Sequence, residues 1–174
     1  MKIEQTLRGA RICLRNYEKS DLPFLTDMWF DEENGKYLSD PTRECVDERY
    51  QQALDTLGES EKGYFLVAEL ANSKESIGSA CIFPNEDESA YEIGYCIHKS
   101  KWRQGYGCEV VGLMIEWLKV QGVEKVIAEA AAANVASNAL LKKLGFALAR
   151  ASEFKKYNTG ITYPSNVYER NISD

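Results

Sequence analysis

Trp102-Arg103-Gln104-Gly105-Tyr106-Gly107-Cys108-Glu109 is the stretch on which the fold turns. Upstream of it, Ala90 to His98 alternates as a strand. Tyr91, Ile93, Tyr95 and Ile97 face one way, and Glu92, Gly94, Cys96 and His98 the other. Downstream, Val110, Val111, Met114, Ile115 and Leu118 fall at helical spacing and give an apolar stripe. The loop therefore joins a strand to a long helix that opens at Gly105 to Cys108. Consecutive N–H groups at a helix N-terminus, kept clear of side chains by glycine, suit an anion. The helix dipole adds about half a positive charge there. A phosphate or pyrophosphate is the expected guest.

Several architectures place glycine in such a loop. A bare GxG is most often a turn before a helix. The dinucleotide-binding fingerprint GxGxxG fits in part: Val110 stands where the third glycine belongs, although Glu124 and Glu129 follow roughly 20 residues on. That fingerprint opens the first helix of a βαβ unit, whereas here about four strands come first. The GxxxxGK[ST] phosphate loop is absent from the sequence.

Working outward, Arg11-Ile12-Cys13-Leu14-Arg15 alternates like a half-buried strand. Ser20-Asp21 offers an N-cap before Leu22, Phe24, Leu25, Met28 and Trp29 at helical spacing. Asp31 to Leu57 is charged and uneven, with a helix from about Val46. Tyr64 to Ala68 and Ile77 to Phe83 read as strands split by the turn residues Asn72-Ser73-Lys74. Beyond the long helix, Val123 to Glu129 is a strand, and Val135 to Leu144 a helix stopped by Gly145 at C′. Phe146 to Ala151 and Ile161 to Arg170 close the chain as strands. The order β-α-α-β-β-β-α-β-α-β-β predicts a mixed α/β or α+β sheet with helices packed on it. Without repeat, low-complexity stretch or linker, residues 1–174 are expected to form one domain.

Composition removes whole classes of function. With 21 basic and 27 acidic residues the net charge is −6, opposite to a nucleic-acid footprint. No apolar run approaches the roughly 20 residues of a membrane span, and Met1-Lys2-Ile3-Glu4 does not start a signal peptide. The 5 cysteines, odd in number, spaced apart and without CxxC, point to reduced thiols and a cytoplasmic setting rather than a disulfide framework. No zinc set forms around Cys96 and His98, so no metal is expected. His98 is the only histidine, no GxSxG elbow exists, and a Cys96–His98 dyad has no orienting acid. Triad hydrolysis is set aside.

Tyr91-Glu92-Ile93-Gly94-Tyr95, then Trp102 to Glu109, then Asn134-Val135-Ala136-Ser137 leading to Lys143-Leu144-Gly145-Phe146, together resemble the GNAT superfamily of N-acetyltransferases. The likeness is to the branch holding ribosomal-protein N-terminal acetyltransferases and some aminoglycoside acetyltransferases. Leu14-Arg15 and the acidic region around Trp29 extend it over most of the chain. The resemblance implies a single domain with a mixed, mostly antiparallel sheet splayed between two parallel strands, Ala90 to His98 and Val123 to Glu129. It implies acetyl-CoA as co-substrate, lying in that splay. The backbone near Ile97 would meet the pantetheine arm, and the N–H groups of Arg103, Gln104, Gly105, Tyr106, Gly107 and Cys108 the pyrophosphate. Asn134 would lie near the arm and Ser137 near the sulfur.

Acetyl transfer needs a free amine, a polarised thioester carbonyl and a proton for the departing thiolate. An alkylamine is mostly protonated at neutral pH, so a base must act. Glu92 is the candidate base, its pKa open to being raised by desolvation. It competes with a surface or salt-bridged glutamate in that place, and a water relay with either. Ser137 is the candidate acid, or else a helix-capping residue. Many relatives carry a tyrosine at the position of Leu141, which here has no hydroxyl. A backbone N–H near Tyr95 or Ile97 is the expected oxyanion contact.

The acceptor is expected to be a primary amine of a small molecule or protein N-terminus. Trp29, Tyr37, Tyr157 and Tyr163 are candidates for its pocket, though such aromatics are more often core. Asp31-Glu32-Glu33 and Glu86-Asp87-Glu88 would favour a cationic one, unless they are only a solvated surface. The protein is expected as a monomer or homodimer without nucleic-acid or membrane partners. The rival readings are a non-catalytic CoA-binding sensor, hinted at by Leu141, and a dinucleotide-binding domain.

Overall fold

In the computed structural model, which describes residues 1–85 and 89–173, eight strands and four α-helices follow one another. They are β1 (Leu7–Arg8), β2 (Ile12–Asn16), α1 (Leu22–Trp29), α2 (Glu48–Asp55), β3 (Tyr64–Leu70), β4 (Ser76–Pro84), β5 (Ala90–Ile97), α3 (Tyr106–Val120), β6 (Lys125–Ala131), α4 (Val135–Lys143), β7 (Ala147–Lys155) and β8 (Thr162–Asn171). The strands make one sheet in the order β1-β2-β3-β4-β5-β6-β8-β7. Every neighbouring pair is antiparallel except β5–β6, so the expected mixed, mostly antiparallel sheet is present. No helix among the described residues is long and apolar enough to cross a membrane.

The period-2 pattern decides which element covers which face. Ile93 and Ile97 of β5 join Ile12, Leu14, Leu66 and Ile82 in the main core, beneath α3. There Val110, Val111, Met114, Ile115 and Leu118 are each no more than 1% exposed, and burial of such side chains contributes about 2 kcal/mol apiece. Cys96 and Val67 point to the other face and meet Leu25 and Met28 of α1. The sheet is thus sandwiched between α3 on one side and α1 on the other.

Several boundaries differ from the sequence reading, each for a local reason. β1 was not foreseen, since two residues carry no periodicity. β6 begins at Lys125, not Val123. The chain leaves α3 through Gly122 at φ 78°, and the Val123 N–H bonds the Leu118 carbonyl (3.1 Å), tying Val123 to the helix end. Asp21 does not cap α1 with its side chain. Its carboxylate takes the Arg15 guanidinium (2.7 and 2.8 Å) and the Glu18 N–H (2.8 Å) instead. The second helix starts at Glu48, where Asp47 accepts from the Tyr50 N–H (2.8 Å).

One feature of this sheet positions the site. The parallel β5–β6 pairing runs through Ala90↔Lys125, Tyr91↔Val126 and Glu92↔Ile127 and there ends. β5 continues to Ile97 still paired to β4, and β6 to Ala131 still paired to β8. Beyond Glu92 the two strands diverge and leave a gap in mid-sheet.

Candidate active site

A cavity of about 430 Å³ opens beside this divergence. Glu92 and Tyr95 of β5, Glu129 of β6, Asn134, and Ser137 of α4 line it, as do Trp29, Tyr37, Asp40 and Tyr50. The His98 N–H bonds the Ile77 carbonyl (2.8 Å), which fixes the parity of β5. Residues of that parity bond β4, so the peptide groups of Tyr95 and Ile97 turn toward the gap. The Ile97 carbonyl is already engaged, accepting from the Trp102 indole (2.7 Å) and the Asn34 amide (3.2 Å). The backbone near Ile97 therefore offers its N–H to a guest, not its carbonyl.

The loop beyond β5 is shaped by two left-handed residues. Trp102 at φ −63°, ψ 160° precedes Arg103 at φ 62°, close to a type II turn. Type II turns favour glycine at the second position, so Arg103 is held there at some cost. Gly105 follows at φ 86° and opens α3. Among the described residues the N–H groups of Gly105, Tyr106 and Gly107 find no acceptor within the protein. Gly107 packs closely on α4: a Cβ there would stand 2.9 Å from Leu140 Cδ1 and displace the end of that side chain. Cys108 and Glu109 complete the first turn, their N–H groups directed back to the Gly105 carbonyl (3.1 and 3.4 Å). The Arg103 and Gln104 side chains are exposed.

Arg11, just before β2, braces this loop. Its guanidinium bonds Glu109 Oε1 through Nε (2.6 Å) and the Gln104 carbonyl through Nη2 (2.9 Å), and lies 4.6 Å from the Tyr106 ring centre. A cation is thus held beside the free N–H groups, its neighbouring acid turned to Arg11.

Asn134 and Ser137 sit at the start of α4, with their duties divided. Asn134 is the N-cap, its Oδ1 accepting from the Ser137 N–H (3.1 Å). The Ser137 hydroxyl is left free of capping and bonds the Tyr95 phenol (2.8 Å). Leu141 is fully buried in the core. The sequence drew attention to the Tyr95 backbone as an oxyanion contact but gave its side chain no role, and the hint to one was a polar-tipped ring among isoleucines at the strand's open end. Burial pushes its phenol up to about 12, opposed by the Ser137 hydrogen bond and aided by Cys108.

Glu92 and Glu129 line the same wall from diverging strands. Desolvation lifts the Glu92 carboxyl above its ordinary range, the Glu129 charge lifts it further, and Arg150 opposes both. Glu129 accepts from the buried Ser165 hydroxyl. Glu129 was weighed in the sequence only as the acid of a dinucleotide-binding fingerprint, and Asp40 was not singled out.

Of the four aromatic candidates, Trp29 and Tyr37 line the cavity, the Trp29 indole donating to Ser79 Oγ (3.1 Å). Tyr157 lies in a neighbouring hollow and donates to Asp47 (3.2 Å). Tyr163 packs behind, its ring 5.8 Å from that of Tyr37. Asp31 and Glu33 are not aimed at the cleft: both pair with Lys99 (2.7 and 3.6 Å). Glu86-Asp87-Glu88 lie outside the described residues. All five cysteines are free thiols. His98 uses Nδ1 on Ser100 Oγ (2.8 Å) and serves the turn after β5.

Comparison with known proteins gives a consistent picture. The family described as acetyltransferase (GNAT) domain matches residues 11–147. The chain is 26% identical over 166 residues to the uncharacterized N-acetyltransferase YoaA of Bacillus subtilis (strain 168), covering 93% of this chain and 94% of that protein. Its fold resembles that of a Salmonella typhimurium acetyl transferase that modifies the N-terminal serine of 50S ribosomal subunit protein L7/L12 (TM-score 0.77, 18% identity, 96% of this chain and 99% of that one). It also resembles spermidine N-acetyltransferase from Vibrio cholerae, solved with CoA and spermine (TM-score 0.78, 16% identity, 94% of this chain and 96% of that one).

Proposed function

The chain belongs to the acetyltransferase (GNAT) domain family, and on that premise we propose that it passes an acetyl group from acetyl-CoA to a primary amine by direct attack in a ternary complex. The observation that carries the reading is the Tyr95–Ser137 hydroxyl pair, which lines the same cavity as Glu92 where β5 and β6 part. The free N–H groups of Gly105, Tyr106 and Gly107, with Arg11 beside them, are suited to a pyrophosphate. The Tyr95 and Ile97 N–H groups are suited to a strand-like arm or a developing oxyanion. The V. cholerae relative's complex with CoA supports the same donor.

The chemistry follows from these placements. Glu92, directly or through water, takes a proton from the ammonium, and the freed amine attacks the thioester carbon. The C–N bond forms, the C–S bond breaks, and nitrogen gives up its second proton. Tyr95, protonated throughout the neutral range, hands a proton to the leaving thiolate, with Ser137 as its hydrogen-bonded partner. The balance is ammonium plus acetyl-CoA giving acetamide, free CoA and one proton. Direct attack is favoured over an acyl-enzyme because the cavity thiols are poor nucleophiles: burial pushes Cys81 and Cys96 each up to about 12.

The free thiols support a reducing, cytoplasmic setting. Thiol release from acetyl-CoA with and without a mixture of primary amines tests the reading. Amine-dependent release is expected. CoA binding without release would favour a sensor module, and NAD binding in place of CoA a dinucleotide domain.

A further inference from the structure

Among the described residues the cavity wall carries three carboxylates, Asp40, Glu92 and Glu129, and no lysine, arginine or histidine. Glu92 and Glu129 flank the strand divergence. Asp40 stands apart, in the irregular stretch between α1 and α2, and has no part in the transfer described above. Among the described residues the Tyr50 hydroxyl is its one side-chain donor and its own backbone N–H a further one, while a carboxylate accepts about four hydrogen bonds. Lys156 acts on Asp40 electrostatically but is committed elsewhere. Its buried Nζ donates to the Gly35 and Leu38 carbonyls (2.7 and 3.1 Å) and, among the described residues, makes no ion pair.

The cavity that Asp40 lines is largely aromatic and aliphatic, with Trp29, Tyr37, Tyr50, Phe154, Leu54 and Leu57 among its lining residues. An ammonium gains from ring faces as well as from a carboxylate. Asp40, Cys81 and Glu92 line the same cavity, and the charges of both acids raise the Cys81 thiol. The wall they share includes Ala80, Cys81, Phe65 and Leu66. Methylenes lie against such a surface at no cost, whereas peptide N–H and C=O groups would lose their partners there.

We propose that Asp40 seats the distal ammonium of the acceptor, and that the acceptor is a linear alkyl diamine or polyamine whose other amine is acetylated beside Glu92. The proposal rests on the acetyltransferase reading and narrows its substrate class. A cavity of about 430 Å³ lies within the size of a small-molecule site, roughly 300–1,000 Å³. The charge count favours the same guest, since one bound dication offsets two of the three wall carboxylates.

The test is thiol release from acetyl-CoA with 1-aminobutane, 1,4-diaminobutane, a longer triamine, and short peptides with free N-termini. In the wild type, kcat/KM for the diamine should exceed that for the monoamine about thirtyfold or more, the scale of a desolvated charge contact. In Asp40→Asn, which keeps size and an acceptor for Tyr50, that ratio should fall toward one. A wild-type ratio near one, a ratio retained in Asp40→Asn, or peptides outperforming diamines would overturn the proposal. Thermal unfolding checks the variant's fold, and the wild-type ratio decides alone if the variant is unfolded. No release with any amine would sink the transferase reading itself, whereas release without diamine preference sinks only the role of Asp40.

Discussion

Tyr95→Phe deletes one oxygen and leaves the ring, so it isolates what the phenol does. The oxygen has one bond, to Ser137 Oγ at 2.8 Å, in a half-buried setting at the cavity wall. A neutral hydrogen bond of this kind contributes about 1 kcal/mol net. For a chain of this length that lowers the unfolding temperature by roughly 2–4 °C. Turnover should respond far more. With its pKa pushed up to about 12, the phenol is protonated across any practical assay range, as a proton donor to the thiolate must be. Losing such a donor costs about a hundredfold or more in kcat. The assay is thiol release at saturating acetyl-CoA and amine, with the KM values determined separately, so that a chemical defect falls on kcat. Ser137→Ala and the double variant complete a cycle: two hydroxyls working as one relay lose about as much singly as together. If Tyr95→Phe keeps more than a third of wild-type kcat while melting a few degrees lower, the phenol merely brackets α4 to β5 and the argument fails.

The acid limb of the pH–rate profile reports on Glu92. Its carboxyl is raised by desolvation and then by Glu129, and a base works only when ionised, so kcat/KM should fall as pH drops through that raised value. Glu129→Gln removes a repelling charge and should move the limb to lower pH. Glu92→Gln should abolish the limb and cost about a hundredfold in rate. Arg11→Ala removes the cation beside the free N–H groups and the bond to the Gln104 carbonyl. The KM for acetyl-CoA should rise severalfold, and an unchanged KM would detach Arg11 from the donor site. Gly35→Ala would put a Cβ 1.8 Å from the Trp29 carbonyl oxygen, and backbone cannot rotate away. A loss of about 3 kcal/mol, or roughly 6–12 °C in a thermal melt, is expected.

The sequence read well where a periodicity had two ends. The alternation of Tyr91 to Ile97 assigned its faces correctly, because Ile93 and Ile97 reach the α3 core while Cys96 meets α1. Gly145 stopped α4 as expected, at φ 80°. Failures came where one signal served two purposes. Val123 looked like the first residue of a strand but is bound to the end of α3. Asp21 looked like a cap but is committed to Arg15, a partner at the end of β2 that helical periodicity does not reveal. Within the cleft, the loop and Asn134 are local motifs and could be read. Tyr95 was hidden because a tyrosine on a core face reads as core, and only the fold shows its hydroxyl meeting Ser137. Asp40 left no trace: it precedes Pro41 in a stretch without period, and its environment is assembled from β3, β4, α2 and β7.

Within the sheet, three residue pairs between β5 and β6 are the direct strand-to-strand link between β1 to β5 on one side and β6 to β8 on the other. A strand-like guest that bonds the Tyr95 and Ile97 backbone in the gap stiffens that joint as it binds. The same arm is present in acetylated donor and spent thiol alike, so the acetyl group alone changes during turnover while the joint stays braced. On the proposed reading, that bridge across the gap is broken and remade when one CoA is exchanged for the next, and it stays in place during the transfer step.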